Sequence, residues 1–268
     1  MQKFLRYLKI YIVMQKRSLK YLMTYRFSFF IEIIVEVGYS LGQIVFFHVL
    51  FSNIQSLGGW DYNKMLLLMG LNIVVSEIVV GFFFVNNLRL LPERLESGQF
   101  EIMQRLPIDS LFHFSLSSTY ISSLISCVPG FYLIVNGIIR SQVLLGLGNT
   151  VVFICVIICG LCIAYGILVM ISCLAFLVPI SDSSIPRLGY QIMFRFMKYP
   201  HTIYQGTLLW IFTYIVPIIF MVSVPVQILV EGFDPKIILL ALVLALGFLF
   251  LAKFVWYKSV QSYEAVGS

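Results

Sequence analysis

The sequence predicts an all-α, polytopic membrane protein with six transmembrane helices, an amphipathic amino-terminal helix, a charged cytoplasmic helical stretch and an outer re-entrant segment. Three observations predict it. Of 268 residues, 60% are hydrophobic and 11% charged, and the mean hydropathy is +0.97, far from the composition of soluble domains. Six runs approach the roughly 20 apolar residues that cross a bilayer: 27–51, 65–84, 111–139, 151–178, 208–224 and 237–256. Backbone groups in lipid must be satisfied within their own segment, so these are helices, and the unbroken runs lack the alternation of a membrane barrel.

The third observation is where the 18 Lys and Arg residues fall. Seven precede the first span (Lys3, Arg6, Lys9, Lys16, Arg17, Lys20, Arg26). Three lie between the second and third (Arg89, Arg94, Arg105), three between the fourth and fifth (Arg187, Arg195, Lys198) and two at the end (Lys253, Lys258). Only Lys64, Arg140 and Lys236 fall on the other side. The positive-inside rule then puts both termini in the cytoplasm. A net charge of +6 is accounted for by anionic headgroups and calls for no nucleic acid. No cleavable signal peptide is evident, because the first apolar run is too long for one.

From the amino terminus, Arg6, Lys9, Lys16, Arg17 and Lys20 share one arc of a helical wheel, with Lys3. Phe4, Leu5, Leu8, Tyr11, Ile12, Leu19 and Leu22 share the opposite one. A helix over 1–26 lying on the inner leaflet is expected, its surface also open to a cytoplasmic partner. The first span carries Glu32 and Glu36, one turn apart and roughly 8 and 14 Å into the membrane from its start. Such carboxylates are protonated, or they pair with a base such as Arg89. Glu77 in the second span raises the same choice between an interhelix clamp and a functional group.

Residues 88–107 form the one long charged passage between spans. Leu91, Leu95, Ile102, Met103 and Leu106 recur at helical spacing among Arg94, Glu101 and Arg105. Gly98 permits a sharp bend and Pro107 ends the second turn. Two short helices joined at a glycine make a compact knob suited to a partner's groove, or an ordinary wet loop.

The third predicted helix aligns Ser115, Thr119, Ser122 and Ser126, either as a close helix contact or as one wall of a polar passage. Residues 181–205 read as a cytoplasmic connection with a short amphipathic helix near 191–198. Pro217 and Pro225 punctuate the fifth span, and the apolar 226–230 that follow suggest a dip back into the outer leaflet. Trp256 and Tyr257 mark the inner interface at the end of the last span.

Cys155, Cys159 and Cys162 share a helix face, but that predicted span has no His, Asp or Glu, so they are read as packing residues and no metal site is expected. No phosphate-binding G-x-x-x-x-G-K-[ST] occurs; Gly146-Leu-Gly148-Asn-Thr150 lacks both lysine and spacing. H-E-x-x-H and G-x-S-x-G are missing too. The chain is therefore expected to be a transport subunit with no catalytic residues and no ATP site of its own.

Three stretches carry a family resemblance: Glu96-x-Gly98-x-Phe100-Glu101-x-x-x-x-Arg105-x-Pro107 after the second span; Tyr199-Pro200 followed by Tyr214-x-x-Pro217 and Val224-Pro225; and Trp256 through Tyr263-Glu264-Ala265-x-Gly267-Ser268. In this order the chain resembles a permease of the ABC-2 exporter superfamily, in the six-span branch without a large external domain. It departs from the pattern at Leu106, before Pro107, and at Lys258-Ser259.

The resemblance implies an ATP-driven exporter in a bacterial plasma (inner) membrane, built from two permease subunits, similar or identical, and two cytoplasmic ABC ATPase subunits. ATP and Mg would be bound by those partners and not by this chain. The 88–107 region would be the coupling helix, with Glu93, Arg94, Glu96, Gly98, Phe100, Glu101 and Arg105 engaging the ATPase. The passage would lie between the first, second and fifth spans of the two permeases, with Glu77, Ser115, Thr119, Ser122 and Tyr214 as its candidate residues. An aromatic content of 16% suits amphiphilic, lipidic or peptide-like cargo. The alternative is a proton-coupled secondary transporter using Glu32, Glu36 and Glu77, against which stands the lack of an internal repeat.

Overall fold

The computed structural model describes residues 2–24, 26–143, 146–177, 184–232 and 234–267. Five helices are long and apolar enough to cross a membrane: Phe27–Asn53, Tyr62–Phe84, Ile121–Arg140, Leu147–Phe176 and Pro235–Tyr263. They belong to α2 (Arg26–Asn53), α3 (Tyr62–Val79), α7 (Ile121–Arg140), α8 (Leu147–Cys173) and α12 (Pro235–Gly267). Among the described residues there is no strand, only an isolated bridge between Leu57 and Trp60 in the loop from α2 to α3. Asp61 caps α3 by accepting from the Lys64 amide at 3.1 Å.

Small residues set the closest helix approaches. A Cβ on Gly70 of α3 would fall 2.7 Å from the Gly130 carbonyl oxygen of α7, and one on Gly166 of α8 would fall 2.8 Å from that of Phe248 in α12. Backbones meet there because no side chain separates them. The two pairs, α3 with α7 and α8 with α12, are the packed centre of the bundle, while α2 lies at its edge with Phe30, Ile34, Leu41 and Val45 facing outward.

The amphipathic helix α1 (Gln2–Thr24) is present. Its Tyr7 ring meets Phe112 edge-on at 4.9 Å, in α6 (Ser110–Leu116), and its Ser18 hydroxyl accepts from the Thr119 amide at 3.2 Å. The carboxy-terminal part of α12 reaches the same end of the bundle, where Trp256 Nε1 donates to Ser110 Oγ at 3.1 Å. That end also carries the short helices α4 (Leu91–Glu96) and α5 (Gln99–Gln104) and is called the handle end. The loop from α2 to α3 marks the far end.

Two sequence expectations are corrected. The third span, expected as one helix over 111–139, is α6 and α7 with a break at 117–120. Asn87, wholly buried, supplies the bonds that the helix gives up. Its Nδ2 donates to the carbonyl of Ser118 (2.7 Å) and its Oδ1 accepts from the Ser118 amide (3.2 Å) and the Ser117 hydroxyl (2.8 Å). A run of Ser and Thr gives up helical bonds readily, because its hydroxyls offer local alternatives.

The fifth span, expected over 208–224, is not a continuous helix. The chain forms α10 (Gly206–Trp210), a π turn over Ile211–Ile215, a break at Val216 and Pro217, a 3₁₀ turn over Ile218–Phe220, and α11 (Ser223–Glu231). Pro217 has no amide hydrogen to continue a helix, whereas Pro225 falls in the first turn of α11, where none is needed. The hairpin presses Phe220 and Met221 onto Gly160 of α8, and Glu231 then returns to Lys64 near the far end, 2.9 Å away. The dip expected at 226–230 thus involves the whole of 206–231.

Beside it lies α9 (Ser184–Phe196), longer than the short amphipathic helix near 191–198 expected within a cytoplasmic connection. Tyr190 stacks on Phe84 at the end of α3, at 4.5 Å and 16°, Lys198 Nζ donates to Tyr39 Oη of α2 at 2.8 Å, and the Thr202 hydroxyl donates to the Gly58 carbonyl in the far-end loop at 2.6 Å. Residues 184–203 therefore run along the bundle from one end to the other. Arg195 near the end of α9 and Lys198 in the turn after it both line a cavity. Val178, Ser181, Phe233 and Ser268, and the side chains of Lys3, Phe4, Leu22, Arg26, Glu264 and Ala265, lie outside the described residues.

Candidate functional site

The handle is built as its sequence implies. Pro92 sits in the first turn of α4, the Ser97 amide donates to the Glu93 carbonyl at 3.1 Å, and Gly98 turns the chain at φ +69° into α5. This left-handed conformation disfavours a side chain with a Cβ. Leu106 and Pro107 then end α5 before Asp109 caps α6 through the Phe112 amide at 2.8 Å.

The seven residues expected to couple divide into two sets. Glu93, Glu96, Glu101 and Arg105 face outward, with Ile102 67% exposed beside them. Phe100 points inward and is 2% exposed. Its ring lies 6.3 Å from Phe114, 5.3 Å from Phe176, 6.1 Å from Trp256 and 5.9 Å from Tyr263, all at edge-on angles. This socket draws on α6, the end of α8 and α12, so the handle is riveted to three helices at once. Edge-to-face aromatic pairs add to the area that such a ring buries.

Arg94 also faces inward. Its Nη2 donates to the Asn86 carbonyl at 2.7 Å and its guanidinium carbon lies 5.0 Å from the centre of the Phe114 ring. Burial holds its pKa below the ordinary arginine value, with Glu93 pulling the other way. Phe100 and Arg94 are thus anchors of the handle and not part of its outward surface. Phe114 and Phe176 were missed in the sequence and Tyr263 was read only as part of the terminal motif, since apolar spacing alone cannot say which aromatic rings converge. Trp256, read as an interface marker, is wholly buried in the same socket.

Helix α1 runs alongside. Arg6 Nη2 donates to the Pro107 carbonyl at 3.1 Å, the Asp109 amide donates to Tyr7 Oη at 3.1 Å, and Gln15 Nε2 donates to the Leu116 carbonyl at 3.3 Å. The segment that follows the handle is therefore bonded to α1.

Behind the handle a cavity of about 590 Å³ opens between α2, α3 and α9. Glu36, Asn72, Ser76 and Glu77 line one wall and Arg187, Tyr190, Arg195 and Lys198 the other, with Arg89 toward the handle. Of the five passage candidates only Glu77 lines it. The Ser115 hydroxyl pairs with Tyr165 Oη at 2.9 Å, and Thr119 is buried under Ser18. The Ser122 hydroxyl donates to Glu32 at 2.6 Å, so Glu32 ties α2 to α7, away from the cavity. Tyr214 sits exposed on the hairpin beside Trp210. The serine stripe is mostly helix contact, and the basic residues of α9 are the cavity-lining groups that sequence reading placed elsewhere.

An all-helical bundle of this kind, with five helices long and apolar enough to cross a membrane, defines a multi-pass membrane protein. The family model described as ABC-2 family transporter protein matches residues 37–267, and the chain belongs to that family. It is a membrane component of an ABC transporter, a class that works with ABC ATPase partners and is not itself the ATPase. Comparison with curated proteins and with solved structures finds no match.

Proposed function

We propose that this chain is one permease half of an ATP-driven exporter, pairing with a second permease, similar or identical, and driven by two separate ATPase subunits that bind ATP and Mg. The handle end faces the cytoplasm of a bacterium, and the subunit sits in its plasma membrane with both termini inside. The observation that carries this reading is the Phe100 socket: the short helices α4 and α5 are fixed to α6, α8 and α12, while Glu93, Glu96, Glu101 and Arg105 are left outward for a partner.

Force on that outward strip moves the bundle and not the handle alone, because packed interfaces shift between discrete arrangements. The cavity between α2, α3 and α9 is then the part of the passage that this subunit contributes, and its cargo is amphiphilic, lipidic or peptide-like. The family match favours this over a proton-coupled carrier using Glu32, Glu36 and Glu77. Purification of the tagged chain from its native membrane tests the proposal. An ATPase subunit is expected to co-purify with wild type and to be lost from a Glu96→Lys, Glu101→Lys double variant; its retention would contradict the docking surface.

A further inference from the structure

The proposal above leaves open which chemistry the cavity recognises. Two of its lining groups are nine-tenths buried and lack a hydrogen-bond partner: Asn72 at its Nδ2, 4% exposed, and Glu77 at its Oε2, 8% exposed. Buried polar atoms of this kind are normally satisfied, and the Glu77 oxygen is an acceptor that the N–H of a ligand can fill.

The charges around them are sorted and not paired. Glu36 and Glu77 stand on α2 and α3, while Arg187 and Arg195 stand on α9, Lys198 in the turn after it and Arg89 toward the handle. Among the described residues the ion pair within 4.0 Å is Lys64 with Glu231, so neither cavity carboxylate is neutralised by a cavity base. Lys198 gives one hydrogen to Tyr39 and keeps two. A purely cationic guest would meet four basic groups, and a purely anionic one would meet the unpartnered oxygen of Glu77. A head carrying both charges satisfies both walls.

Its tail is provided for as well. Phe84, Tyr190 and Phe194 form a continuous aromatic lining, with ring centres 4.5 Å and 4.4 Å apart. Val35 and Tyr39, which line the cavity from α2, are exposed.

We propose that this cavity binds the head of a zwitterionic amphiphile, with its ammonium between Glu36 and Glu77 and its phosphate or carboxylate on Arg195 and Lys198. As a statement about cargo this rests on the export reading; as a statement about binding it stands alone. The test uses the full chain with its associated subunits in a non-ionic maltoside micelle, without ATP. Dissociation constants are measured for lysophosphatidylethanolamine, for lysophosphatidylglycerol and an alkyltrimethylammonium of equal chain length, and for phosphoethanolamine, which has no chain.

The zwitterionic lysolipid is expected to bind at least about tenfold tighter than the other three. Glu77→Gln weakens it by about tenfold without weakening lysophosphatidylglycerol, and Lys198→Gln weakens it without weakening the alkylammonium. Losses specific to one charge cannot come from misfolding. Equal binding of lysophosphatidylglycerol, equal binding of chainless phosphoethanolamine, or lysophosphatidylethanolamine binding unchanged in both variants would overturn the proposal. Co-purification of the ATPase is read separately, so the two readings fail separately.

Discussion

Phe100 of α5 and Trp256 of α12 meet edge to face, their ring centroids 6.1 Å apart, and both are almost wholly buried. Residues 156 positions apart in the chain thus share one socket, which packs the handle against the last helix. Apart from a 3.4 Å hydrogen bond from Tyr263 Oη to Glu101, the outward face of the handle and its anchor are separate sets of side chains, which makes their roles separable by substitution.

Truncating the anchor tests this first. Phe100→Ala leaves a cavity among four aromatic rings and is expected to lower stability by roughly 3–5 kcal/mol. Glu101→Gln, whose side chain is exposed, is expected to change it by less than about 0.5 kcal/mol. Thermal unfolding of the purified protein reads both. Equal melting temperatures for the two variants would mean that the socket does not hold the handle.

At Gly98 the cost is conformational. No atom lies within 4 Å of where a Cβ would stand, but φ is +69°. Gly98→Ala is expected to cost about 1–2 kcal/mol, and Gly98→Asn less, since asparagine tolerates the left-handed region. Unfolding midpoints in that order support the bend; an alanine variant as stable as wild type would refute it.

Asn87→Ala removes the groups that satisfy Ser118 on both its amide and its carbonyl. Each buried group left unpaired costs roughly 1–3 kcal/mol. Combining it with Ser117→Ala is expected to add less than the sum of the two, because Ser117 bonds to the same amide oxygen. Full additivity in a double-mutant cycle would show that the break between α6 and α7 is held by something else.

Glu231 carries a pH dependence at the far end. The hydrogen bond from Lys64, and then that from Gln227, hold its pKa below the ordinary carboxylate value. A carboxylate depressed in the folded state contributes stability that is complete above its unfolded pKa, about 4.3, and lost as pH falls through the folded value. Both side chains are partly exposed, so the pair is worth on the order of 0.5 kcal/mol. The melting temperature of wild type is expected to exceed that of Glu231→Gln slightly at about pH 6 and to converge with it as pH falls through the depressed folded value; a gap that widens with acid would contradict the assignment.

Much of this architecture is legible in the sequence where one physical signal dominates. Long apolar runs gave α2, α3, α8 and α12, and the glycine and proline of 98 and 107 gave the handle. Reading failed where two signals compete. Arg187, Arg195 and Lys198 made this stretch read as a connection with only a short helix near 191–198, because hydropathy cannot separate a charge at a membrane surface from one that lines a cavity. The apolar 208–224 looked like a span because its composition satisfies the length rule, while Pro217 folds it into a hairpin. The inward turn of Arg94 and Phe100 was hidden for a third reason: helical spacing names a face, and only the packing of α6, α8 and α12 decides which face is buried.

The central claim is that the outward strip of α4 and α5 contacts a nucleotide-hydrolysing subunit on the cytoplasmic side. Ile102 projects from the middle of that strip. A photo-crosslinking residue placed at 102 and irradiated in intact cells is predicted to join the chain to an ABC ATPase subunit. Absence of that adduct in the assembled complex, or labelling of a cysteine at 102 by a membrane-impermeant reagent added outside the cell, would contradict the account.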